Sequence, residues 1–423
     1  MDVIVIEGPS RLEGTVEVAG AKNSILPIMA ATILAKGMCI LRNVPDVSDM
    51  HTMCKILKAL GARVTYSSDH VLQIDTAGLN KNVADYKHVS TMRASVCLLG
   101  PLLARFKKAH VSLPGGCVIG PRPIDLHLKG MKSLGAKITL EHGYVIADAE
   151  KSGLKGTRMY LGGSFGSSVL ATGNIMMAAV YATGKTTIVN AACEPEVIDL
   201  GRFLIKMGAK IEGLGSPVLT ITGVKRLTGC EFTIITDRIE AGTFLMAGAV
   251  THGDVTVKNC SSEYLGAVFD KMMEAGVQLI EKDGHVRVKA KGKLRSVSLT
   301  TGVYPGFPTD LQAQMMTMLA CTPGISVVTE KIFPDRFMHV SELNRMAASI
   351  RLEGPSAIVS GVKELSGAPV MASDLRASAA LAMAGLAARG KTEISRVYHL
   401  DRGYEKLEEK LRGLGAKIKR EKR

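Results

Sequence analysis

The sequence contains no tryptophan, and aromatic residues make up only 4% of its 423 residues. Glycine, with 44 residues, and methionine, with 21, are by contrast abundant. A chain of this length can bury a large core and usually forms two or more domains. We therefore expect a core of aliphatic side chains and tight turns. The shortage of aromatic side chains that could stack on bases argues against RNA binding.

Long hydrophobic runs are also absent. The longest nearly apolar segments, residues 24–35 and 377–388, each span 12 residues, whereas a helix needs about 20 to cross a bilayer. The first residues, MDVIVIEGPSRLEG, place an acidic residue where a signal peptide is basic, and no cleavage site follows. The sequence predicts buried helices, no membrane segment and a cytoplasmic location.

Paired cysteine motifs are missing as well. None of the eight cysteines forms a CxxC pair, and none lies near histidine at metal-ligand spacing. This pattern predicts reduced thiols, with neither a metal nor a cofactor.

The formal net charge of +14 points to an anionic partner. A nucleic acid, an anionic lipid surface or a phosphorylated metabolite would each satisfy it. The basic residues are spread along the chain, apart from the tail AKIKREKR at 416–423. The total charge does not choose among these partners.

One motif recurs six times: LGARV at 60–64, LGAKI at 134–138, MGAKI at 207–211, AGVQL at 275–279, MAASI at 346–350 and LGAKI at 414–418. The copies are at most 74 residues apart (61 to 135) and at least 68 (208 to 276). Each ends an amphipathic helix, and a second kind of helix, rich in Ala and Met, alternates with it. We predict that the apolar helices are buried, that the amphipathic helices lie outside, and that six α/β units close as two groups of three.

Charged residues occur near the start of five of the apolar helices. They are Lys22, Arg93, Arg238, Asp310 and Arg376. Asp310 alone also fits an ordinary helix cap. The basic residues do not, because the helix dipole disfavours a cation in the first turn. Since helix N-termini favour bound anions, the pattern indicates an anion-binding site.

The segment SLPGGCVIGPRPIDL at 112–126 is too rich in glycine and proline for regular structure. It places Cys117 close to Arg122. A neighbouring guanidinium lowers a thiol's pKa from about 8.5 toward neutrality, where the thiol can exchange a proton with a substrate. An inert cysteine in a flexible loop is the alternative.

Two further arginines each follow an aspartate. Arg336 follows Asp335, and Arg402 follows Asp401. Each arginine is interpreted either as a site residue or as half of a surface salt bridge.

Motifs along the whole chain resemble the enolpyruvyl transferase family, and within it the UDP-N-acetylglucosamine 1-carboxyvinyltransferases. They are GAKNS at 20–24, TMRAS at 91–95, LPGGC at 113–117, GPRPIDL at 120–126, GFPTD at 306–310, RFMH at 336–339, DLRAS at 374–378 and DRGYE at 401–405. The resemblance implies an α/β fold, the two-domain inside-out α/β barrel. Its domains, 22–229 and 1–21 with 230–423, would each contain three βαβαββ units around a pseudo-threefold axis.

The resemblance also implies a reaction and its residues. The enolpyruvyl group of phosphoenolpyruvate would move to the 3-hydroxyl of UDP-N-acetylglucosamine, with Cys117 as general acid and Asp310 as candidate base. The implied phosphoenolpyruvate contacts are Lys22, Asn23, Arg122, Arg376 and Arg402. The implied UDP-sugar contacts are Arg93, Arg122, Pro123, Ile124, Asp125, Leu126, Ser164, Phe165, Gly166, Asp310 and Ile332, with Arg336 in support.

The sequence departs from some relatives at two positions that concern the nucleotide. Gly162 stands where they carry a lysine, and Cys193 where they carry an arginine. Three other functions stay open from the sequence. They are transfer to shikimate 3-phosphate, nucleic-acid binding by a basic repeat protein, and an inactive or regulatory copy of the enzyme.

Overall fold

The described residues contain six four-stranded sheets of one topology. In each sheet an edge strand runs parallel to its neighbour, and the other two strand pairs are antiparallel. The computed structural model describes residues 2–90, 92–113, 124–290 and 292–423. They form two units, which we call the central unit (described residues between 20 and 235) and the split unit (2–19 and 236–423). Each is described by itself.

The central unit contains three of these sheets. Their strand orders are Glu231–Thr233, Met38–Arg42, Leu72–Asp75, Arg63–Tyr66; Val83–Ala84, Lys108–Ser112, Tyr144–Asp148, Lys137–Glu141; and Arg158–Tyr160, Lys185–Val189, Val218–Thr222, Lys210–Glu212. A two-stranded hairpin, Gly162–Gly163 with Gly166–Ser167, follows the third edge strand.

The split unit contains the other three. Their strand orders are Pro369–Met371, Gly390–Ser395, Asp2–Gly8, Ile418–Lys422; Glu13–Glu17, Asp254–Lys258, His285–Lys289, Gln278–Lys282; and Leu299–Thr300, Ile325–Thr329, Ser356–Ser360, Ser349–Glu353. The N-terminal strand completes the sixth repeat, because it pairs with both Gly390–Ser395 and Ile418–Lys422.

Two edge strands lie far in sequence from the repeats that they complete. Glu231–Thr233 pairs in parallel with Met38–Arg42 in the central unit. Glu13–Glu17 pairs in parallel with Asp254–Lys258 in the split unit. Among the described residues, the chain therefore changes units after each of these strands, between 19 and 20 and again between 235 and 236. The resemblance placed these crossings at 21–22 and 229–230.

The helices are of the two predicted kinds. The apolar helices are Lys22–Ala31, Leu99–Phe106, Val169–Ala179, Arg238–Val250, Gln312–Ala320 and Leu375–Ala387. The amphipathic helices are Ser48–Ala59, Asp125–Ser133, Pro195–Met207, Gly266–Glu274, His339–Arg345 and Leu407–Gly413. Shorter elements are the helix Tyr86–Val89 and the 3-10 turns Thr32–Leu34, Arg93–Leu98, Ser262–Tyr264, Thr309–Leu311 and Val397–Arg402.

Burial separates two of these helices as the sequence predicts, although the amphipathic helix Pro195–Met207 buries nine of its 13 residues and the apolar helix Leu99–Phe106 only five of its eight. Every residue from 239 to 250 is buried, whereas the helix Gly266–Glu274 buries only Val268, Phe269 and Met272. Each unit has its own hydrophobic core, made mainly of Ala, Val, Leu, Ile and Met. Within the described residues, no helix is long and apolar enough to cross a membrane.

The six-fold repeated motif ends each amphipathic helix with a left-handed residue. The second residue of each copy has φ between 67° and 111°. Five of these residues are glycine, which adopts this conformation without steric cost. The sixth is Ala347, with φ of 67°, where a Cβ costs on the order of 1 kcal/mol.

Candidate active site

The described site residues are divided between the two units. The central unit carries Lys22, Asn23, Arg93, Ile124, Asp125, Leu126, Ser164, Phe165 and Gly166. The split unit carries Asp310, Ile332, Arg336, Arg376 and Arg402. Cys117, Arg122 and Pro123 lie outside the described residues.

Lys22 is the first residue of the helix Lys22–Ala31, and Asn23 is the second. The Nζ atom of Lys22 lies 3.1 Å from Oδ2 of Asp49, and the two side chains are 13% and 4% exposed. The helix has no acidic residue of its own in the first turn. Asp49, from the first turn of Ser48–Ala59, therefore offsets the unfavourable position of a cation at a helix N-terminus.

Arg93 begins a 3-10 turn next to a buried neutral network. Burial, and to a lesser degree the charge of Arg93, lowers the pKa of His127 to about 3. Nδ1 of His127 accepts a hydrogen bond from Nδ2 of Asn174 at 2.9 Å. The same amide donates to the carbonyl of Val96 at 2.9 Å, and its oxygen accepts from the N–H of Gly100 at 2.6 Å. The histidine is thus uncharged at neutral pH.

The predicted nucleotide residues meet within the central unit. Ile124 is the N-cap of Asp125–Ser133, so the next two residues form the first turn of that helix. The hairpin 162–167 lies beside this turn, because a Cβ atom on Gly163 would come within 3.3 Å of Cδ1 of Leu126. Phe165 in the hairpin loop is 51% exposed. Segments 124–126 and 164–166 are therefore neighbours.

Gly162 has no space for a side chain. A Cβ atom there would lie 2.5 Å from Cε1 of Tyr160. The Tyr160 ring in turn lies against Lys129, whose Nζ is 5.7 Å from the ring centre. A lysine at position 162, as in some relatives, would therefore require Tyr160 to move.

Asp310 accepts hydrogen bonds from two buried guanidinium groups. Its Oδ1 bonds Nη1 of Arg336 at 2.8 Å, and its Oδ2 bonds Nη2 and Nε of Arg376 at 3.0 and 3.3 Å. The arginine side chains are 6% and 2% exposed, and that of Asp310 is 24% exposed. Neither the turn Thr309–Leu311 nor the following helix has a side-chain cap. The alternative of Asp310 as an ordinary helix cap is therefore wrong.

Arg376 keeps its charge although it is buried. Burial lowers its pKa, but Asp310, Tyr404 and Asp237 more than compensate and raise the pKa above its usual value. Its guanidinium carbon lies 5.3 Å from the centre of the Tyr404 ring. Its Nη1 atom is buried and has no acceptor among the described residues.

A hydroxyl and an amide hold Tyr404 in place. The Tyr404 hydroxyl lies 2.8 Å from Oγ1 of Thr243 and accepts from Nε2 of Gln314 at 3.1 Å. Nε2 of Gln314 also donates to the backbone carbonyl of Asp310 at 3.1 Å. The network thus connects the support of Arg376 to the backbone of Asp310.

The surface salt-bridge interpretation is wrong for Arg336, which is buried and pairs with Asp310. Asp401 is bonded through both oxygens by Arg420, at 2.6 and 2.9 Å. Arg402 ends the turn Val397–Arg402. Together with burial, which has the larger effect, its charge lowers the pKa of His399.

The seven cysteines within the described residues have thiols of low reactivity. Burial raises the pKa of each: Cys54 and Cys230 to about 11, Cys97, Cys260 and Cys321 to about 12, and Cys39 and Cys193 above the usual value. Protonated thiols are poor nucleophiles at neutral pH. In this part of the chain, no group of three His, Cys, Asp or Glu residues is placed to hold a metal ion.

The family model of EPSP synthase (3-phosphoshikimate 1-carboxyvinyltransferase) matches residues 6–411. The chain belongs to this family of enolpyruvyl transferases. UDP-N-acetylglucosamine 1-carboxyvinyltransferase 2 of Carboxydothermus hydrogenoformans is 54% identical over 422 residues, 99% of each chain. UDP-N-acetylglucosamine 1-carboxyvinyltransferase of Geotalea daltonii is 53% identical over 420 residues, again 99% of each.

Solved structures agree with this assignment. The enolpyruvyl transferase NikO from Streptomyces tendae has a TM-score of 0.90 at 25% identity, covering 99% of this chain and 98% of that one. An EPSP synthase from Acinetobacter baumannii has a TM-score of 0.73 at 17% identity over the whole of both chains, which supports the fold alone. The predicted family and the two-domain inside-out α/β fold are confirmed.

Three residues of this enolpyruvyl transferase that contact predicted site residues or lie beside them were not predicted from the sequence. Asp49, His127 and Tyr404 were given no role. Tyr404 lies inside the motif DRGYE, and His127 directly follows GPRPIDL. The positions of Tyr404 and His127 in or beside these motifs could have identified them. Asp49 has no comparable signal, because an aspartate in the first turn of an amphipathic helix is ordinary.

Proposed function

We propose that this enolpyruvyl transferase moves the enolpyruvyl group of phosphoenolpyruvate to the 3-hydroxyl of UDP-N-acetylglucosamine and releases phosphate. The observation that carries the proposal is 53–54% identity, over 99% of the chain, to two enzymes named for this acceptor. The reaction would take place in the cytoplasm as the first committed step of peptidoglycan precursor synthesis. The proposal includes no nucleic-acid or membrane partner and no metal.

The chemistry consists of an addition followed by an elimination. The sugar oxygen bonds to C2 of phosphoenolpyruvate while C3 gains a proton. C3 then loses a proton as the bond from C2 to the phosphate oxygen breaks, which restores the double bond and releases phosphate. These steps need a base near the hydroxyl, an acid over C3 and cations around the phosphate and carboxylate.

Asp310 is the proposed base, and Arg376 the proposed contact to phosphoenolpyruvate. Both oxygens of Asp310 accept hydrogen bonds from guanidinium groups, which stabilise the carboxylate and make it a weaker base, so loosening one of these bonds would strengthen the base. Nη1 of Arg376 has no acceptor among the described residues. An anion bound there would compete for the guanidinium that holds Oδ2. Substrate binding and the release of the base would therefore be connected through one side chain.

The resemblance assigns several cationic side chains to phosphoenolpyruvate. Lys22, Arg122 and Arg402 would balance its phosphate and carboxylate, with Asn23 bonding the reacting groups. A hydrogen bond to a charged group contributes roughly 1.5–3 kcal/mol, and a helix dipole about 0.3–1 kcal/mol. The side chains should therefore dominate, while the helix N-termini orient them.

The UDP-sugar contacts remain a proposal supported by the resemblance and by proximity. Arg93, segment 124–126 and segment 164–166 belong to one unit, and the last two are neighbours through Leu126 and Gly163. Pro123 would continue segment 124–126 toward the N-terminus. Ile332 would contact the sugar.

A phosphate-release assay tests the function. We expect release only when phosphoenolpyruvate and UDP-N-acetylglucosamine are both present. Shikimate 3-phosphate in place of the nucleotide sugar should give none. Release with shikimate 3-phosphate alone as acceptor would assign the chain to the other branch of the family. No release with either acceptor would support an inactive copy.

Alkylation tests Cys117 as the general acid. Fosfomycin, an epoxide, should modify one thiol and abolish activity, because the seven described cysteines have raised pKa values and react slowly. Cys117→Asp should retain a proton donor and resist the epoxide. Mass spectrometry that located the modification on another cysteine would contradict this role.

A further inference from the structure

We propose that Glu330 is a positioning residue for this reaction, and that it acts through the hydroxyl of Thr309 on Arg336 and Asp310. The inference rests on the proposed function, because it gives Asp310 a role in the chemistry. It concerns two residues that the resemblance leaves without a role.

Glu330 is a buried carboxylate that serves as a hub for four hydrogen-bond donors. It is 0% exposed. Its Oε1 accepts from Oγ1 of Thr301 at 2.6 Å and from the N–H groups of Ile332 and Phe333 at 2.7 and 3.0 Å. Its Oε2 accepts from Oγ1 of Thr309 at 2.8 Å. These bonds offset the cost of removing the carboxylate from water.

The hydroxyl of Thr309 has a fixed direction. It has a single proton, which it donates to Glu330, so its lone pairs are left for another donor. That donor is Nη1 of Arg336, at 3.0 Å. The same Nη1 atom donates to Oδ1 of Asp310 at 2.8 Å. A directed chain of hydrogen bonds therefore runs from Arg336 through Thr309 to Glu330, beside the proposed base.

The two oxygens of Glu330 hold different elements. Oε1 fixes the segment 331–333, which includes the proposed sugar contact Ile332. Oε2 fixes Thr309 and, through it, the guanidinium that bonds Asp310. Thr309→Val should therefore disturb Arg336 and Asp310, and leave the segment at Ile332 in place. A purely structural role would not separate these two effects.

The central experiment compares Thr309→Val with Thr309→Ser. For Thr309→Val we expect kcat to fall on the order of 10–100-fold, because small displacements of a positioned group cost up to about two orders of magnitude. The dissociation constant of UDP-N-acetylglucosamine, measured by calorimetry, should change by a smaller factor than kcat, because Asp310 is disturbed while the other proposed sugar contacts, including Ile332, stay in place. Thr309→Ser restores the hydroxyl and should recover most of kcat.

Two further variants sharpen the comparison. In Glu330→Gln the amide nitrogen donates a hydrogen bond where the carboxylate oxygen accepted one, so the Thr309 hydroxyl must turn. This variant should lose kcat as Thr309→Val does. The matched control is Thr329→Val, one residue before Glu330, whose hydroxyl lies 2.8 Å from Oγ of Ser356. Its kcat should remain within about twofold of the unmodified protein.

Three outcomes would overturn the proposal. They are a Thr309→Val kcat equal to that of Thr329→Val, a Thr309→Ser kcat as low as that of Thr309→Val, and a parallel loss of UDP-N-acetylglucosamine affinity in Thr309→Val. If the unmodified protein releases no phosphate, the proposed function has failed. The positioning role of Glu330 is then tested by crystal structures of the unmodified protein and of Thr309→Val. The distance from Arg336 to Asp310 should lengthen in Thr309→Val, and an unchanged distance would contradict the positioning role.

Discussion

The central and split units use the same repeat but place chemically different networks among their apolar helices. In the central unit the amide of Asn174 connects Val96, Gly100 and a neutral His127. In the split unit Tyr404, Thr243 and Gln314 support the charged Arg376, which bonds Asp310. The same scaffold therefore carries an uncharged network around Asn174 in the central unit and a charged network around Arg376 in the split unit, although the central unit also has the ion pair of Lys22 with Asp49.

The two networks also differ in how completely their buried polar atoms are hydrogen-bonded. The amide oxygen of Asn174 and both protons of its nitrogen have partners, as expected of a packing network. Arg376 and Gln314 each have a buried polar atom, Nη1 and Oε1, without a partner among the described residues. Changes in the central network should reduce stability, whereas changes in the split network should reduce both stability and activity.

The largest effect is expected from Asp310→Asn. It removes the proposed base and the anion bonded to a guanidinium that is only 2% exposed. We expect kcat to fall on the order of 10²–10⁴-fold and the free energy of unfolding to fall by roughly 3 kcal/mol. Phosphate release and denaturant unfolding measure the two. The control is Glu353→Gln, at an exposed ion pair with Arg351, where the loss should stay below about 1 kcal/mol. Equal stability of the two variants would contradict this account.

Asn174→Ala tests the neutral network of the central unit. The change leaves the N–H of Gly100 and the carbonyl of Val96 without their partner, and opens a cavity. The free energy of unfolding should fall by about 2–4 kcal/mol, whereas kcat of the folded protein should be unchanged. A large fall in kcat without loss of stability would mean that the central network takes part in the chemistry.

The neutral His127 predicts a pH dependence. Its pKa is about 3 in the folded protein and about 6.5 in an unfolded chain. Below pH 6.5 the unfolded chain binds a proton that the folded protein does not, so stability falls as the pH is lowered. The His127 contribution lost between pH 6.5 and 5 should be roughly 2 kcal/mol.

Asp199 works in the opposite direction within the same unit. Burial raises its pKa to about 6, so the folded protein holds a proton that an unfolded chain releases above about pH 3.9. It therefore stabilises the fold as the pH is lowered through 6. Comparing unfolding of the unmodified protein with His127→Gln isolates the histidine, and parallel pH curves would contradict the prediction.

Tyr404→Phe should have a smaller effect on stability than Asn174→Ala. It removes one hydroxyl from Thr243 and Gln314 but keeps the ring beside Arg376. The free energy of unfolding should fall by about 1–2 kcal/mol. Because Gln314 also bonds the backbone of Asp310, kcat should fall too. Kinetics and denaturant unfolding on the same preparation measure both. An unchanged kcat would show that the Tyr404 hydroxyl contributes to stability alone.

Ala347→Gly should have the smallest effect, and it should stabilise. Ala347 has a φ of 67°, where the other five repeats carry glycine. Removing the Cβ atom relieves strain but adds freedom to the unfolded chain, so the net gain should be under about 1 kcal/mol. Thermal unfolding measures it. Lower stability of Ala347→Gly would show that the methyl group makes contacts worth more than the strain.

The repeat made most of the fold predictable. The spacing of the motif from LGARV onward sets six units, and the apolar helices are identified by having no polar face. The two distant edge strands were not predictable. Glu13–Glu17 buries only Val16, and Glu231–Thr233 has three residues. Neither strand therefore has a hydrophobic pattern from which its partner strand could be predicted.

Candidate site residues could be selected from the sequence where they lie at helix starts, because a cation there is anomalous on its own helix. Their supporting contacts were not predictable. Thr309 and Glu330 are 21 residues apart, and Asp310 and Arg376 are 66 residues apart. Such contacts depend on how whole repeats pack, which local sequence does not encode.

The reaction carried out in heavy water tests the central claim most directly. If C3 of phosphoenolpyruvate is first protonated and then deprotonated, the enolpyruvyl product must carry deuterium in its vinyl group. We predict such a product from the unmodified protein with UDP-N-acetylglucosamine, and almost none from Asp310→Asn under conditions where it still binds the nucleotide sugar. A product without deuterium, or full product formation by Asp310→Asn, would contradict the account.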